Sequence, residues 1–202
     1  MVPVWAGAAW SGVSLSLDEV EADWIFDGAP RRTETTRIGL RYTETAASGL
    51  VVGARVGRLT SRLGPGPGVP LTEKYDAGFL GLSLHYPVRF GEHLRFYGEL
   101  AYQYHSGDRI DLAASERIEW RDFSIELGLS GEFGGVRVTP FAVYSDSEGD
   151  ISGEPGTRGF SSRETVSAGL ELDWFVEQGG LIRLRLLDGA EQSAGLGLVR
   201  EF

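Results

Sequence analysis

The most reactive grouping in the sequence is Tyr104-His105-Ser106-Gly107-Asp108, which gathers an imidazole, a hydroxyl and a carboxylate within five positions. Nucleophilic hydrolysis needs the hydroxyl within hydrogen-bond reach of the imidazole and a third group that orients the ring. On an extended strand, adjacent side chains point to opposite faces, so His105 and Ser106 diverge. Asp108 is near enough in sequence to orient His105, but a hydrolase using His105 is the least favoured reading. His85 and His93 have no such neighbours, and no Asp-x-His pair occurs. The chain has no cysteine and three histidines, which excludes thiolate metal sites and disulfides, leaves little for zinc, and calls for no metal and no cofactor.

A larger set of charged residues is spread along the chain: Arg37, Arg41, Arg55, Arg95, Arg137, Arg183 and Arg185, with Glu99, Glu126, Glu132, Glu171, Asp173 and Glu201. They fall on the polar parity of alternating segments. In residues 165–176, Val166, Ala168, Leu170, Leu172, Trp174 and Val176 alternate with Ser167, Gly169, Glu171 and Asp173. Period two over a dozen residues predicts a strand with one oily and one polar face. Residues 123–133 and 94–105 repeat the pattern. The same scan predicts ten strands, at roughly 4–17, 35–45, 50–60, 75–88, 94–105, 118–133, 136–146, 164–176, 181–188 and 193–202. No run approaches the roughly 20 apolar residues of a transmembrane helix, whereas many of these segments have the 9–11 residues or more that cross a bilayer as a tilted strand.

The connections alternate in length. A long acidic stretch is followed by TAASG, then by LGPGPGVPLTE, FGEH, SGDRIDLAASER, GG, DSEGDISGEPGTRGFS and EQGG. Only the ninth joint, near DGAEQ, is shorter than the rule requires. Sorted loops predict an all-β fold: a closed antiparallel up-and-down transmembrane β-barrel of ten strands, with eight as the alternative. Short turns would face the periplasm, longer loops the exterior, and residues 1–202 would form one domain. Tyr42, Tyr86 and Trp174 would girdle the periplasmic rim, and Tyr102, Tyr104 and Tyr144 the outer rim. Pro140 inside the seventh strand predicts a bulge, as does the parity slip between Trp10 and Val13.

With the polar parity inward, seven arginines meet six carboxylates in the lumen. Buried charge is tolerated when paired, so the near-balance predicts an internal salt-bridge network. The interleaved Gly39, Gly53, Gly57, Gly81, Gly128, Gly169 and Gly197 would leave room for the long side chains opposite them. The remaining negative charge falls in the predicted loops: Asp18, Glu19, Glu21, Asp23, Asp27 and Glu34 in the first, with Arg31 and Arg32, and Asp146, Glu148, Asp150 and Glu154 in the fourth, with Arg158. Within the first loop, Trp24, Ile25 and Phe26 form an apolar triplet suited to a partner contact or a cap over the mouth. DSEGDISGE has spaced oxygens but not the ligand order of a calcium loop. The net charge of -10 excludes nucleic acid as a partner.

In the tail, SAGLGLVREF, Ala194, Leu196, Leu198 and Phe202 share a parity and the sequence ends on an aromatic. This resembles the C-terminal signature strand of bacterial outer-membrane proteins, although Arg200 stands where an apolar residue is common. Taken with the alternation and the sorted loops, the chain resembles small outer-membrane β-barrels over essentially its whole length. The resemblance implies a Gram-negative outer-membrane location with Met1 standing in place of a removed signal peptide. It also implies contact with outer-membrane lipid and lipopolysaccharide, and recognition of Leu196, Leu198 and Phe202 by the barrel assembly machinery. Three functions remain open: a non-enzymatic barrel whose acidic surface loops make envelope or ligand contacts, a narrow passive channel for small solutes, and a lipid-modifying hydrolase. A closed barrel should migrate differently on a gel when heated and unheated in detergent, and a single unshifted band would count against the class.

Overall fold

The computed structural model describes residues 11–202 apart from 67–68, 70, 92–93, 112–115, 154–155, 164 and 178. The described residues form β1 (Ser11–Phe26), β2 (Ala29–Thr45), β3 (Val51–Leu63), β4 (Glu73–Phe90), β5 (Leu94–Arg109), β6 (Arg117–Phe133), β7 (Val136–Gly153), β8 (Gly156–Ser162), β9 (Val166–Glu177), β10 (Gly180–Gly189) and β11 (Glu191–Glu201). All strands but β8 pair antiparallel in sequence order. Gly12–Ala22 of β1 then pairs with Glu191–Glu201 of β11 and closes a ten-strand barrel. Closure removes the unpaired edge that hydrocarbon does not tolerate. Phe202 N donates to Ser11 O at 2.8 Å, so the first and last described residues meet at one end, the terminal end; the other is the distal end.

Period two sorts the side chains. A continuous outward band includes Leu15, Leu17, Ile38, Leu40, Leu196 and Leu198, with Leu80 and Leu82 at 60% and 63% exposure. Tyr42, Tyr86 and Trp174 border it toward the terminal end and Tyr102, Tyr104 and Tyr144 toward the distal end, all outward. So large an apolar surface is anomalous in water and is the required face in lipid.

Beyond the band the pattern inverts. Outward positions become charged (Glu19, Glu21 and Asp23 on β1, Arg58 and Arg62 on β3, Asp146, Glu148 and Asp150 on β7), while inward positions become apolar (Trp24, Phe26, Leu59, Leu63, Tyr75, Ile118, Trp120, Ile151). The first and fourth of the predicted long loops are therefore mostly strand. The first is only the turn Asp27-Gly28, whose φ values of 49° and 82° are the left-handed pair that a two-residue hairpin demands. The fourth contains β8, an eleventh strand outside the predicted ten, which pairs with the distal part of β7 and with Trp24–Phe26 at the tip of β1. β7 pairs with β9 only over Val136–Tyr144. The barrel thus has ten strands through the apolar band and a distal ring of eight, β1 to β8.

Pro140 makes no bulge. β6 and β7 keep one register on both sides of it, from Gly128↔Phe141 to Gly131↔Val138, and across the gap Thr139 Oγ1 donates to Ser130 Oγ at 3.1 Å. β1 likewise holds register with both neighbours from Gly12 onward, and Trp10 lies outside the described residues. Inside, glycines accommodate rings. The Tyr97 ring occupies the space a Cβ on Gly128 would need, and Phe79 and Phe141 do the same at Gly57 and Gly169. Tyr97 is pinned there by donating its hydroxyl to Glu126 at 2.5 Å. Gly128→Val should cost about 1–3 kcal/mol through overpacking, read as a lower urea midpoint for the heat-shifted gel band; an unchanged midpoint would mean the ring is not held.

Candidate functional site

Within the apolar band the lumen is a chain of ion pairs. Arg37, Arg41, Arg55, Arg95, Glu99, Glu126, Arg137, Glu171, Asp173, Arg183 and Arg185 all point inward, because each occupies the parity opposite the lipid-facing residues of its strand. Arg41 meets Glu99 at 2.9 Å and Ser83 at 2.8 Å. Arg183 binds Asp173 at 2.8 Å and Glu171 at 3.1 Å, and Arg185 joins Glu171 at 3.4 Å to Glu126. Arg137 continues from Asp173 at 3.4 Å to Glu132 at 2.9 Å, which also receives Arg95 at 3.1 Å. Arginine's fork lets one side chain bridge two carboxylates, which is why the chain can run on.

Asp18 corrects the sequence reading. Assigned to an external loop by its acidic company, it lies on the inward parity of β1 and takes Arg55 at 2.7 Å and Arg37 at 3.2 Å. Of the other acidic residues of that stretch, Glu21 pairs with Arg32 and Asp23 with Arg163 at 3.2 Å on the outside of the distal ring, and on β7 Glu148 pairs with Arg121 in the same way. Asp146, Glu148 and Asp150 share the outward face of β7 and follow one another at two-residue steps along an extended strand, so their oxygens do not wrap around one point as those of a calcium loop do. No cluster able to hold a metal occurs among the described residues. Glu154 and His93 lie outside those residues.

The distal ring is filled. Trp24, Phe26, Leu59, Leu63, Tyr75, Phe79, Ile118, Trp120, Ile151 and Phe160 form one buried cluster. Trp24 stacks on Phe160 at 4.3 Å and meets Trp120 edge-on at 5.5 Å. Trp24 and Phe26 thus cap the mouth from within, while Ile25 takes the opposite parity. Above them Glu73, 2% exposed, receives Arg31 at 2.8 Å, Arg158 at 3.0 Å and Arg109 at 3.1 Å, and Arg109 also binds Glu116 at 2.6 Å. Burial, then the charges of Glu73 and Glu116, push the Tyr75 hydroxyl well above its ordinary range. Against the burial that lowers it, hydrogen bonds to Asp111 and Glu116 raise the Arg109 guanidinium. Sequence reasoning missed this cluster because Arg31, Glu73, Arg109 and Arg158 come from four predicted loops or strand ends.

His105 is buried and stacks on Trp120 at 4.2 Å, with Nε2 2.8 Å from Asp122 Oδ2. The carboxylate beside it is Asp122 of the next strand, since Asp108 falls on the outward parity. Ser106 is also outward, with Oγ 3.4 Å from Glu119. Among the described residues Nδ1 of His105 has no hydrogen-bond partner, so no described hydroxyl stands where a nucleophile must and these residues assemble no triad. His85 lies in the lumen, its Nδ1 3.4 Å from Glu99. Leu196 and Leu198 are outward on β11, at 54% and 56% exposure, and Phe202, just past its end, is 71% exposed.

Closed sheet, lipid-facing band and polar lumen together define the fold of bacterial outer-membrane β-barrels. The chain is similar in structure to the outer-membrane protein OprG from Pseudomonas aeruginosa, with a TM-score of 0.53 and 13% identity over 95% of each chain. It is also similar to the translocator domain of the autotransporter NalP from Neisseria meningitidis, at TM-score 0.51 and 11% identity over 98% of this chain and 91% of that one. No protein-family description matches the sequence, and no curated protein does. Removing the shared anion by Glu73→Gln should cost about 3–5 kcal/mol locally by leaving buried guanidinium groups uncompensated. Limited proteolysis should then cut the distal ring while the heat-shifted gel band persists.

Proposed function

We propose that this chain is a non-enzymatic integral barrel of the bacterial outer membrane, with its terminal end toward the periplasm and its distal ring outside the cell, and that it is closed along its axis. One observation carries this reading: the apolar cluster around Trp24, Trp120 and Phe160 occupies the ring above the lumen. Ions moving along the axis would have to cross a packed core and then a lumen whose arginines are already ion-paired. Barrels of about this strand number are filled by side chains, in keeping with that view.

The charged outer wall of the ring rises from the lipid-facing band at the height of lipid headgroups. Its carboxylates suit divalent cations bridging lipopolysaccharide phosphates, and Arg58, Arg62 and Lys74 on neighbouring strands suit the phosphates themselves. The envelope contacts are thus made by a stiff wall of paired strands. Outward Leu196 and Leu198 on the closing strand, with exposed Phe202 just past its end, fit recognition by the assembly machinery before β11 meets β1.

In planar bilayers the unaltered protein should give no steady current, whereas the double substitution Trp24→Ala with Phe160→Ala should open one. A steady current from the unaltered protein that vanished on altering Arg41 or Glu171 would overturn the closed-axis reading. Lipopolysaccharide incubated with the protein should keep its acyl chains by mass spectrometry, and acyl loss that disappears in His105→Ala would restore the hydrolase.

A further inference from the structure

The strands of the distal ring share its outer charges unevenly. Above the apolar band β1 and β7 present only carboxylates outward, whereas β3 presents only cations, Arg58 and Arg62, with Lys74 beside them on β4. Arg62 and Lys74 are both exposed and stand directly opposite one another in the β3–β4 register. Like charges so placed have Cβ atoms about 5 Å apart and repel, unless an anion joins them. Among the described residues none does, since the carboxylates nearby are engaged elsewhere. Glu34, opposite Arg62 on β2, lies 4.0 Å from Arg32, and Asp76 takes Arg58 at 2.7 Å. Asp111, which accepts the Lys74 backbone N–H, binds Arg109 at 2.7 Å. Residues 67–68, 70 and 112–115, close by in sequence, add no carboxylate.

This column of cations stands on the lipid-facing band. Arg58 is opposite Ile38 on one side and Gly78 on the other, and Val56 and Leu80, one outward step toward the terminal end, are 55% and 60% exposed. Gly78 leaves a notch at the top of the band: a Cβ there would have only the Gly57 carbonyl oxygen within 4 Å, at 3.8 Å. Four residues of extended strand put Arg62 about 13 Å from Arg58. Outward Thr60 lies between them and adds a hydroxyl donor. Arg58 gives Nη2 to Asp76 and keeps the rest of its fork for a second anion. A ligand matching these groups has anionic charge at two heights and apolar chains below. A dissolved phosphate would leave the band unused, and a lipid with one head-group phosphate reaches one height only.

We propose that Arg62 and Lys74, with Arg58 beneath them, bind the head group of an outer-leaflet lipid that carries two separated phosphates, its acyl chains lying on Val56 and Leu80. The site deepens the envelope-contact reading and rests on the distal ring being outside the cell.

The test is binding of bisphosphorylated lipid A to the full chain in detergent, followed by native mass spectrometry. The unaltered protein should hold this lipid more tightly than its monophosphorylated counterpart or phosphatidylglycerol. Arg62→Gln with Lys74→Gln should raise its Kd at least about tenfold, as two lost cations near a head group imply. Arg117→Gln with Arg121→Gln, the outward cations of β6, should leave it unchanged. Lys74→Gln alone, expected to raise Kd by about threefold or more, serves if the double variant gives no heat-shifted gel band. Equal binding by the unaltered protein and the β3–β4 variant, equal loss in the β6 variant, or displacement of the lipid by equimolar pyrophosphate would each overturn the site while leaving the envelope reading standing. Failure of the unaltered protein to prefer bisphosphorylated lipid A over phosphatidylglycerol would overturn both.

Discussion

Hydrocarbon offers no partner to a backbone N–H or C=O, and the pairing of β11 with β1 is the contact that meets this constraint for the whole chain. Once the ladder closes, every strand has two neighbours and its side chains have two destinations. A register slip of one residue would carry Arg37, Arg41, Glu171 and Asp173 into lipid and the leucines of the band into the lumen. The ion-paired interior and the apolar exterior are thus two views of one register.

The membrane-crossing half was legible because its alternation is uninterrupted: Val166 to Val176, Phe123 to Phe133 and Leu94 to Tyr104 each keep apolar residues outward throughout. The distal half was not, because the solvent outside changes from lipid to water partway up each strand. On β3 the apolar parity passes from outward Val52 and Val56 to inward Leu59 and Leu63, and on β6 from outward Phe123 to inward Trp120 and Ile118. Such a change of phase reads as a broken strand followed by a charged loop, which is how Asp18 was sent to the wrong side. The Asp27-Gly28 turn was a readable sign that β1 and β2 run farther, but the acidic run around it carried more weight. β8 had no comparable signal, since its partner positions on β1 and β7 are fixed only by how the barrel closes.

Two kinds of packing fill the interior. In the band, arginines and carboxylates bridge strands, with glycines such as Gly128 and Gly169 giving rings a place to lie. In the distal ring, indoles and phenyl rings fill the space as in a soluble domain. Buried ion pairs are weak evidence for net stability, since desolvation offsets much of their attraction, but they are intolerant of misplacement. The aromatic cluster supplies the complementary property: burial that is favourable without directional demands. The strand count falls from ten to eight where one kind gives way to the other, so the narrower ring can be filled by side chains alone.

The outward switch from apolar to charged residues along each strand also settles how deep the protein sits. One two-residue step inward would bring Glu19, Arg58, Arg121 and Asp146 level with the acyl chains around the circumference, and one step outward would lift Leu17, Ile38 and Leu80 into water. Each rim charge costs roughly 0–1 kcal/mol near an interface and more with depth, and a closed barrel must move all of them together. The protein therefore carries its own waterline, drawn independently on strand after strand.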